Sequence, residues 1–312
     1  MTNGTLAAGC PAAKLLAAMS ALADPPLPLD RHAAGDATIG LPGGLSDPGW
    51  LVVEDALAPE RVRSAEPVFA IGNGRFSTRG SFEERFPGDQ PATLMHGVFA
   101  PHPVAVSELA NLPDWTALEI VVGGERFSMA SGRLLAYRRS LDLRSGLLRR
   151  EVTWRSPGGA TVEICFERFA SLADPRVAAV RATVTSLDFA GGVEVRASLS
   201  ARADTDGRAH LESRRQCVAN VVAELDVNVR GTATAVGLAM RLRRTDGTAE
   251  QEGLDLPGRP TLTARSTTRP GGRATFEKLV VVASSRDSAG PAAATHLTAL
   301  GDEPFDSLFA AS

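Results

Sequence analysis

The sequence predicts an all-β protein built from two stacked antiparallel sheets, and three observations lead to this prediction. From Leu51 onwards, short apolar runs alternate with turn residues at the spacing of about 8–12 residues that is typical of sandwiches and barrels. Scarcely any segment keeps the period of 3.6 residues that an amphipathic helix requires. The runs amount to roughly ten strands or more, and so many strands favour two large sheets over one small barrel.

Paired runs around turn residues predict three hairpins. They join residues 69–71 to 75–77, residues 118–122 to 125–129, and residues 147–154 to 161–169. The first turn contains Asn73-Gly74, a dipeptide suited to the positive φ angles of a tight hairpin. In the last strand Val162, Ile164 and Phe166 share one face, because side chains alternate along a strand. Further strands are predicted over residues 177–184, 193–201, 218–225, 234–243 and 276–283.

The two ends of the chain differ from this strand pattern. Residues 1–48 are rich in Ala, Pro and Gly and predict an irregular lead-in with a short helix over residues 14–22. The sandwich is expected to span residues 49–290. Residues 291–312 predict the start of linker helices, the last one carrying Phe305, Leu308 and Phe309. This apolar face has no evident partner in the chain, so the natural protein is expected to continue.

Composition and charge exclude several classes of function. A formal net charge of −3 gives no electrostatic footprint for nucleic acid or an anionic membrane. No apolar run approaches the ~20 residues of a membrane-spanning helix. Cys10, Cys165 and Cys217 lie far apart, and the five histidines lack metal-ligand spacing, so neither a metal nor another cofactor is expected. A cytoplasmic location fits these observations best.

Four stretches, in order along the chain, carry motifs that belong together. They are residues 66–84, with Gly72-Asn73-Gly74, Arg79-Gly80 and Glu83-Glu84; residues 97–99 with 108–115; residues 139–149; and residues 168–172. In this order they resemble the amino-terminal domain of glycoside hydrolase family 65. That family includes maltose, trehalose and kojibiose phosphorylases and related trehalose hydrolases. Arg75 and Phe76 depart from the resemblance, because relatives often carry Tyr and a small apolar residue there.

The resemblance implies a two-sheet antiparallel super-sandwich of the galactose-mutarotase-like type, with short helices at both ends. In the family, linker helices join this sandwich to an (α/α)₆ barrel, which holds the general-acid glutamate and the phosphate site. This chain would then be the non-catalytic domain of an inverting phosphorylase or hydrolase acting on α-linked glucose disaccharides, with no catalytic residue of its own. The implied partners are an α-glucobiose, inorganic phosphate as co-substrate, the absent barrel in cis, and a second copy in a homodimer.

Two other functions stay open at the level of the sequence. One is a free-standing carbohydrate-binding or scaffold module. The other is an aldose-mutarotase-like enzyme, which would need a histidine and a glutamate converging in the cleft of the sandwich. The strands contain few histidines, which argues against the enzyme.

Seven residues are candidates for a substrate rim or a domain interface. They are Asn73, Arg79, Glu83, Glu84, Asn111, Asp114 and Trp115. Glu83 and Glu84 are adjacent and should point in different directions on a strand, which favours a structural or interface role over the ~5–10 Å carboxylate spacing of a glycosidase. Arg79 could bind phosphate, but a pair with Glu83 is favoured. Asn73 could contact a sugar, but the left-handed conformation of a turn is favoured.

Asn111, Asp114 and Trp115 are expected to form a polar and aromatic loop. A tryptophan in such a loop can stack on a sugar ring. Capping of the sandwich or packing against the barrel is the favoured interpretation.

Overall fold

The computed structural model describes residues 48–102, 104, 106–202, 204–205, 207–219, 221–287 and 293–312. The helix predicted over residues 14–22 and nearly all of the lead-in lie outside the described residues. The described chain consists mainly of antiparallel strands with three short helices. None of these helices is long and apolar enough to cross a membrane.

The elements have the following bounds. The strands are β1 Leu51–Glu54, β2 Ile71–Gly72, β3 Phe76–Thr78, β4 Thr93–Met95, β5 Phe99–Pro101, β6 Ser107–Leu109, β7 Leu118–Val122, β8 Glu125–Arg126, β9 Arg133–Asp142, β10 Leu147–Arg155, β11 Thr161–Ala170, β12 Val177–Ser186, β13 Gly191–Ser198, β14 Asp204–Thr205, β15 Arg208–Ala209, β16 Leu211–Ala219, β17 Val222–Val229, β18 Ala235–Arg244, β19 Glu250–Leu256, β20 Arg259–Thr268 and β21 Arg273–Ser284. The helices are α1 Val62–Ala65, α2 Ala293–Ala299 and α3 Phe305–Ala310, and 3₁₀ turns cover Pro48–Trp50 and Pro59–Arg61.

Two large sheets form the sandwich. The nine-stranded sheet has the order β1-β9-β10-β11-β12-β21-β18-β17-β16, and the five-stranded sheet has the order β19-β20-β13-β7-β8. Their facing sides share one apolar core, to which β11 contributes Val162, Ile164 and Phe166 and β7 contributes Leu118 and Ile120. The all-β, two-sheet prediction is confirmed, and so is the shared face on β11.

The three predicted hairpins are present as β2–β3, β7–β8 and β10–β11. The strand predicted over residues 218–225 is wrong, because the chain reverses within it and Ala219 pairs with Val222. Apolar residues continue on both sides of this turn, so the alternation conceals it. Several strands lie outside the predicted ranges, and two of them, β9 and β19, are rich in charged residues; every residue of β19 is exposed.

Helices α2 and α3 cover the outer face of the nine-stranded sheet. A second apolar cluster there joins Phe169 and Leu279 of the sheet to Leu297 of α2 and Phe305 of α3. The rings of Phe169 and Phe305 meet edge to face, with centroids 5.0 Å apart. The expectation that the terminal apolar face lacks a partner in this chain is therefore wrong. Central strands such as β21 are apolar on both faces, so the sheet itself supplies the partner.

Replacement of Phe305 tests this packing. Phe305 is only 2% exposed, and Phe305→Ala is expected to lower the free energy of unfolding by about 3 kcal/mol through the cavity it leaves. The control is Leu172→Ala, because Leu172 is 61% exposed. Denaturant unfolding followed by circular dichroism measures both variants, and equal stabilities would show that α3 is not packed on the sheet.

Candidate functional site

All seven candidate residues lie on one segment, residues 66–116, which we call the insert. Many of its apolar side chains belong to the core between the sheets; Phe82 and Trp115 are among the largest fully buried side chains of the described residues. The insert contributes only short strands, β2 to β6, so most of its backbone hydrogen bonds cannot come from the two large sheets. Polar side chains from the sandwich have to hold it.

Three buried arginines of adjacent strands hold the start of the insert. Each of them is at most 2% exposed; they are Arg139 on β9, Arg150 on β10 and Arg168 on β11. Arg139 donates to the carbonyl of Gly80 at 2.8 Å, and Arg168 donates to the carbonyls of Ser81 at 2.9 Å and of Arg79 at 3.0 Å. The sandwich thereby supplies hydrogen-bond donors to three consecutive carbonyls, which buried backbone requires.

Arg150 binds both glutamates of the insert. It donates to Glu84 Oε1 at 2.8 Å and to Glu83 Oε2 at 2.7 Å, while Arg168 lies 3.0 Å from Glu83 Oε1. The Arg150 guanidinium also lies 4.4 Å from the ring centroids of Phe82 and Phe166. Cation–π contact and two carboxylates together compensate the loss of hydration. We call these three arginines with Glu83 and Glu84 the arginine clamp.

The two carboxylates converge, contrary to the expectation that they point in different directions. That expectation assumed a strand, whereas Arg85 has φ +74° and its amide donates to the carbonyl of Phe82 in a turn. Burial tends to raise the pKa of Glu83, but attraction to Arg168 and Arg150 outweighs it, and the net pKa is lowered. A carboxyl held ionised by two arginines cannot donate a proton to a leaving group as a general acid does.

Arg79 pairs with Glu66 and not with Glu83 as expected. Its Nε lies 3.0 Å and its Nη2 2.9 Å from Glu66 Oε2. Glu66 is fully buried, and its other oxygen accepts from the amide of Gln90 at 3.0 Å. Arg150 and Arg168 already pair with Glu83, and this explains why Arg79 pairs with Glu66 instead.

Asn73 ties the β2–β3 hairpin to the loop between β11 and β12. Its Oδ1 accepts from the amides of Arg75 and Phe76 at 3.1 Å, and its Nδ2 donates to the carbonyls of Ser171 at 2.9 Å and Pro175 at 3.0 Å. The positive φ angle of this turn belongs to Gly74 at +82°, so the left-handed conformation expected of Asn73 is wrong. These four bonds use the whole capacity of the side-chain amide.

Asn111, Asp114 and Trp115 also bind within the domain. Asn111 Oδ1 accepts from the amide of Thr93 at 3.0 Å, and Asp114 pairs with Arg85. Trp115 is fully buried, and its Nε1 donates to Thr78 Oγ1 at 2.8 Å. Neither face of the Trp115 ring can therefore stack on a sugar in this conformation.

Lys278 is a buried cation that the sequence reading missed. It lies on the inner face of β21, and its ammonium donates to the carbonyls of Trp115, Ala117 at 3.1 Å and Ser198 at 2.8 Å. Burial, followed by repulsion from Arg85 and Arg259, lowers its pKa well below the usual value. The signal was a single lysine inside the apolar run of residues 276–283. Its three bonds link the nine-stranded sheet to the end of the insert and to the five-stranded sheet.

A histidine and a glutamate do meet in the structure, at His210 and Glu108. Their side chains are 2.8 Å apart, and His210 Nδ1 accepts from the amide of Asn111 at 3.2 Å. The His210 side chain is 4% exposed, and Arg208 also binds Glu108 at 2.7 Å. Both ring nitrogens are engaged, so this pair lacks the free nitrogen that mutarotase chemistry would need. Among the described residues, no three His, Cys, Asp or Glu side chains come together to hold a metal ion.

Comparison with known proteins agrees with this architecture. The family model described as "Glycosyl hydrolase family 65, N-terminal domain" matches residues 52–312. The chain belongs to glycosyl hydrolase family 65. The solved structure of a protein assigned as a kojibiose phosphorylase from the human microbiome superposes with a TM-score of 0.74 at 19% identity, over 84% of this chain and 37% of that one. At this identity the superposition shows a shared fold.

Curated relatives of this family 65 domain are phosphorylases and glycosyl hydrolases. Kojibiose phosphorylase of Halothermothrix orenii is 30% identical over 52% of this chain and 21% of its own length. Alpha,alpha-trehalose phosphorylase of Thermoanaerobacter brockii is 28% identical over 46% of this chain and 20% of its own length. An uncharacterized glycosyl hydrolase of Mycobacterium tuberculosis is 28% identical over 78% of this chain and 20% of its own length. The matched region thus spans about a fifth of these relatives.

Removal of the central arginine tests the arginine clamp. Arg150→Met leaves Glu83 and Glu84 without their shared partner and is expected to cost about 3–5 kcal/mol of folding free energy, as the breaking of a buried ion pair does. Arg138→Met is the matched control, because Arg138 forms an exposed pair with Asp55 and its side chain is 52% exposed. Its loss should cost no more than about 1 kcal/mol. Urea unfolding compares the two, and equal small losses would contradict the clamp.

Acid titration tests the anchor of the β5–β6 hairpin. Glu108 accepts hydrogen bonds from Arg208 and His210. The bond from Arg208 has the larger effect, and together they lower the pKa of Glu108 from 4.5 to about 2. The stabilisation is therefore complete above pH 4.5 and is lost as the pH falls towards 2. The stability difference between the wild type and Glu108→Gln should shrink over this range in thermal melts. Glu212→Gln, at an exposed site on β16, is the control, and a pH-independent difference for Glu108→Gln would contradict the assignment.

Proposed function

We propose that this chain is the non-catalytic domain of an inverting glycoside phosphorylase or hydrolase that acts on α-linked glucose disaccharides. The observation that carries the proposal is the arginine clamp. Glu83 and Glu84, the adjacent glutamate pair among the candidate residues, are buried and paired with Arg150, so neither is available as a catalytic carboxyl group. Family membership and the printed activities of the relatives, kojibiose and trehalose phosphorolysis, support the substrate class. The chemistry then belongs to a further domain in the same polypeptide.

In the proposed reaction, a phosphate oxygen attacks the anomeric carbon of the α-glucoside. The new bond forms on the face opposite to the bond that breaks, while a carboxylic acid of the further domain gives its proton to the leaving sugar oxygen. Inorganic phosphate is the co-substrate, and the products are β-glucose 1-phosphate and the released sugar. In a hydrolase, a second carboxylate would activate water in place of phosphate.

In this proposal, residues 49–290 form the sandwich domain and residues 291–312 begin the linker. Asn73, Arg79 and the clamp residues set the position of the insert and thereby the shape of the domain's surface. Trp115, Asn111 and Asp114 fix the other end of the insert. The proposed location is the cytoplasm; Cys165 and Cys217 are free thiols, and burial raises the pKa of Cys165 to about 12. A homodimer remains part of the proposal.

A phosphorolysis assay tests the proposed function. The 312-residue chain is incubated separately with kojibiose, trehalose and maltose, each with and without phosphate, after circular dichroism has verified that it is folded. We expect no release of glucose 1-phosphate or glucose by this chain and release of the β anomer, identified by NMR, by the full-length polypeptide. Robust turnover by the 312-residue chain would overturn its non-catalytic role.

Two further measurements address the two alternatives. A carbohydrate-binding module would bind the disaccharides in calorimetry without converting them, even as a full-length polypeptide. A mutarotase would accelerate the change in optical rotation of fresh α-glucose, and Glu108→Gln would abolish the acceleration.

A further inference from the structure

A crevice with three arginines lies where the β2–β3 hairpin, the loop between β11 and β12, and the turn after β21 meet; we call it the basic crevice. Its charged lining residues are Arg75, Asp174, Arg176, Arg286 and Asp287. It has a volume of about 660 Å³, which is within the range that is typical of small-molecule sites. Three guanidinium groups and two carboxylates leave one positive charge in excess.

Both carboxylates of the basic crevice are already engaged. Asp287 accepts hydrogen bonds from both terminal nitrogens of Arg75. Asp174 Oδ1 accepts from the amide of Arg176 at 3.1 Å, and its Oδ2 lies 2.6 Å from His296 Nε2. Burial tends to raise the pKa of each carboxyl, but these contacts outweigh it and the net pKa is lowered. Neither carboxylate is therefore left to neutralise the remaining arginine.

Two arginines of the basic crevice keep donors for a ligand. Arg286 is exposed and forms no ion pair within the described part of the chain, and its guanidinium lies beside the backbone of Gly97. The contact between Arg176 and Asp174 is made by Nε at 3.5 Å, which leaves both terminal nitrogens of Arg176 as donors. Planar guanidinium groups bind phosphate oxygens through paired, charge-assisted hydrogen bonds. The free donors of the crevice thus suit an oxyanion.

The backbone that carries these two arginines is fixed by hydrogen bonds within the domain. The carbonyl of Arg176 accepts from the amide of Val282 on β21 at 2.8 Å. The amide of Asp287 donates to the carbonyl of Ser284 at 2.9 Å and closes the turn that contains Arg286. A ligand would therefore order side chains but not the loops that bear them, which lowers the entropic cost of binding.

An apolar cleft of about 420 Å³ adjoins the basic crevice, and Arg75 lines both. Phe99 and Leu109 line this cleft and are 47% and 41% exposed. Gly97, which contacts the Arg286 guanidinium, lines it as well. A group bound at Arg286 would therefore have an apolar surface beside it. Apolar walls with a few polar groups at one end are typical of sites for small organic ligands.

We propose that the basic crevice binds a phosphate group through Arg176 and Arg286. A phosphate monoester carries a charge of about −1.5 to −2 at pH 7 and three acceptor oxygens. It matches two guanidinium groups better than a carboxylate, which has one charge and two oxygens. Free phosphate and a sugar phosphate share this chemistry, and the apolar cleft would hold the sugar of the ester. This inference goes beyond the proposed function, because it involves no turnover and only residues of this chain.

Calorimetric titration of the folded 312-residue chain tests the basic crevice, with inorganic phosphate, glucose 1-phosphate, glucuronate and glucose as ligands. We expect a Kd of about 1 mM or lower for at least one of the two phosphate compounds. Glucuronate has a sugar ring and a single carboxylate, and it should bind at least about 10-fold more weakly. Glucose should not bind detectably. Tighter binding of glucose 1-phosphate than of inorganic phosphate would identify the ester as the ligand, and the reverse or equal affinities would identify free phosphate.

Single substitutions locate the bound phosphate. Arg286→Gln and Arg176→Gln should each raise the Kd at least about 10-fold, because each removes charge-assisted hydrogen bonds. Arg269→Gln is the matched control and should leave the Kd unchanged, because Arg269 is exposed in the turn bonded to Ser186, at the other end of β12. Circular dichroism verifies that each variant is folded.

Three results would overturn the phosphate site. They are no binding of either phosphate compound up to about 10 mM, ten times the expected Kd; equal affinity for glucuronate; and unchanged binding in both Arg286→Gln and Arg176→Gln. None of these results bears on the proposed function, which is judged by turnover of the full-length polypeptide. Phosphate binding by the 312-residue chain without turnover by the full-length polypeptide would instead overturn the proposed function and support the phosphate site.

Discussion

The structure depends on the neutralisation of positive charge inside a β-sandwich. Arg139, Arg150 and Arg168 project from neighbouring strands into the core, where an unpaired guanidinium would cost several kcal/mol. The sandwich strands alone do not supply enough carboxylates there. Glu83 and Glu84 come from the insert and Glu54 from the edge strand β1, so the charges are balanced only when both of these segments are in place. Ionic pairing thus specifies where the insert lies.

This constraint determines what the family motif residues can do. Four residues carry side chains of the types that sugar chemistry uses, yet each is engaged inside the domain: Glu83, Glu84, Asn73 and Trp115. Their common task is to hold the insert against the sheets, with Lys278 bonding the far end.

Local patterns predicted much of the fold and less of the site. Alternation in β10 and β11 reports burial on one face and gave the sandwich and its hairpins correctly. It concealed the turn between β16 and β17, where apolar residues continue through the reversal, and it gave no signal for the fully exposed β19. The partners of Arg79 and Glu83 depend on contacts between residues far apart in sequence. No spacing rule encodes them, which is also why Lys278 and the packing of Phe305 were missed.

A double-mutant cycle on Arg150 and Glu84 tests the central claim most directly. The free energies of unfolding of Arg150→Met, Glu84→Gln and the double variant are compared with that of the wild type. If the insert is held by ionic pairing, the coupling energy should be about 2–3 kcal/mol, because the second substitution removes a charge that the first left unpaired. Additivity within about 0.5 kcal/mol would contradict the account, since it would show that apolar packing alone positions the insert.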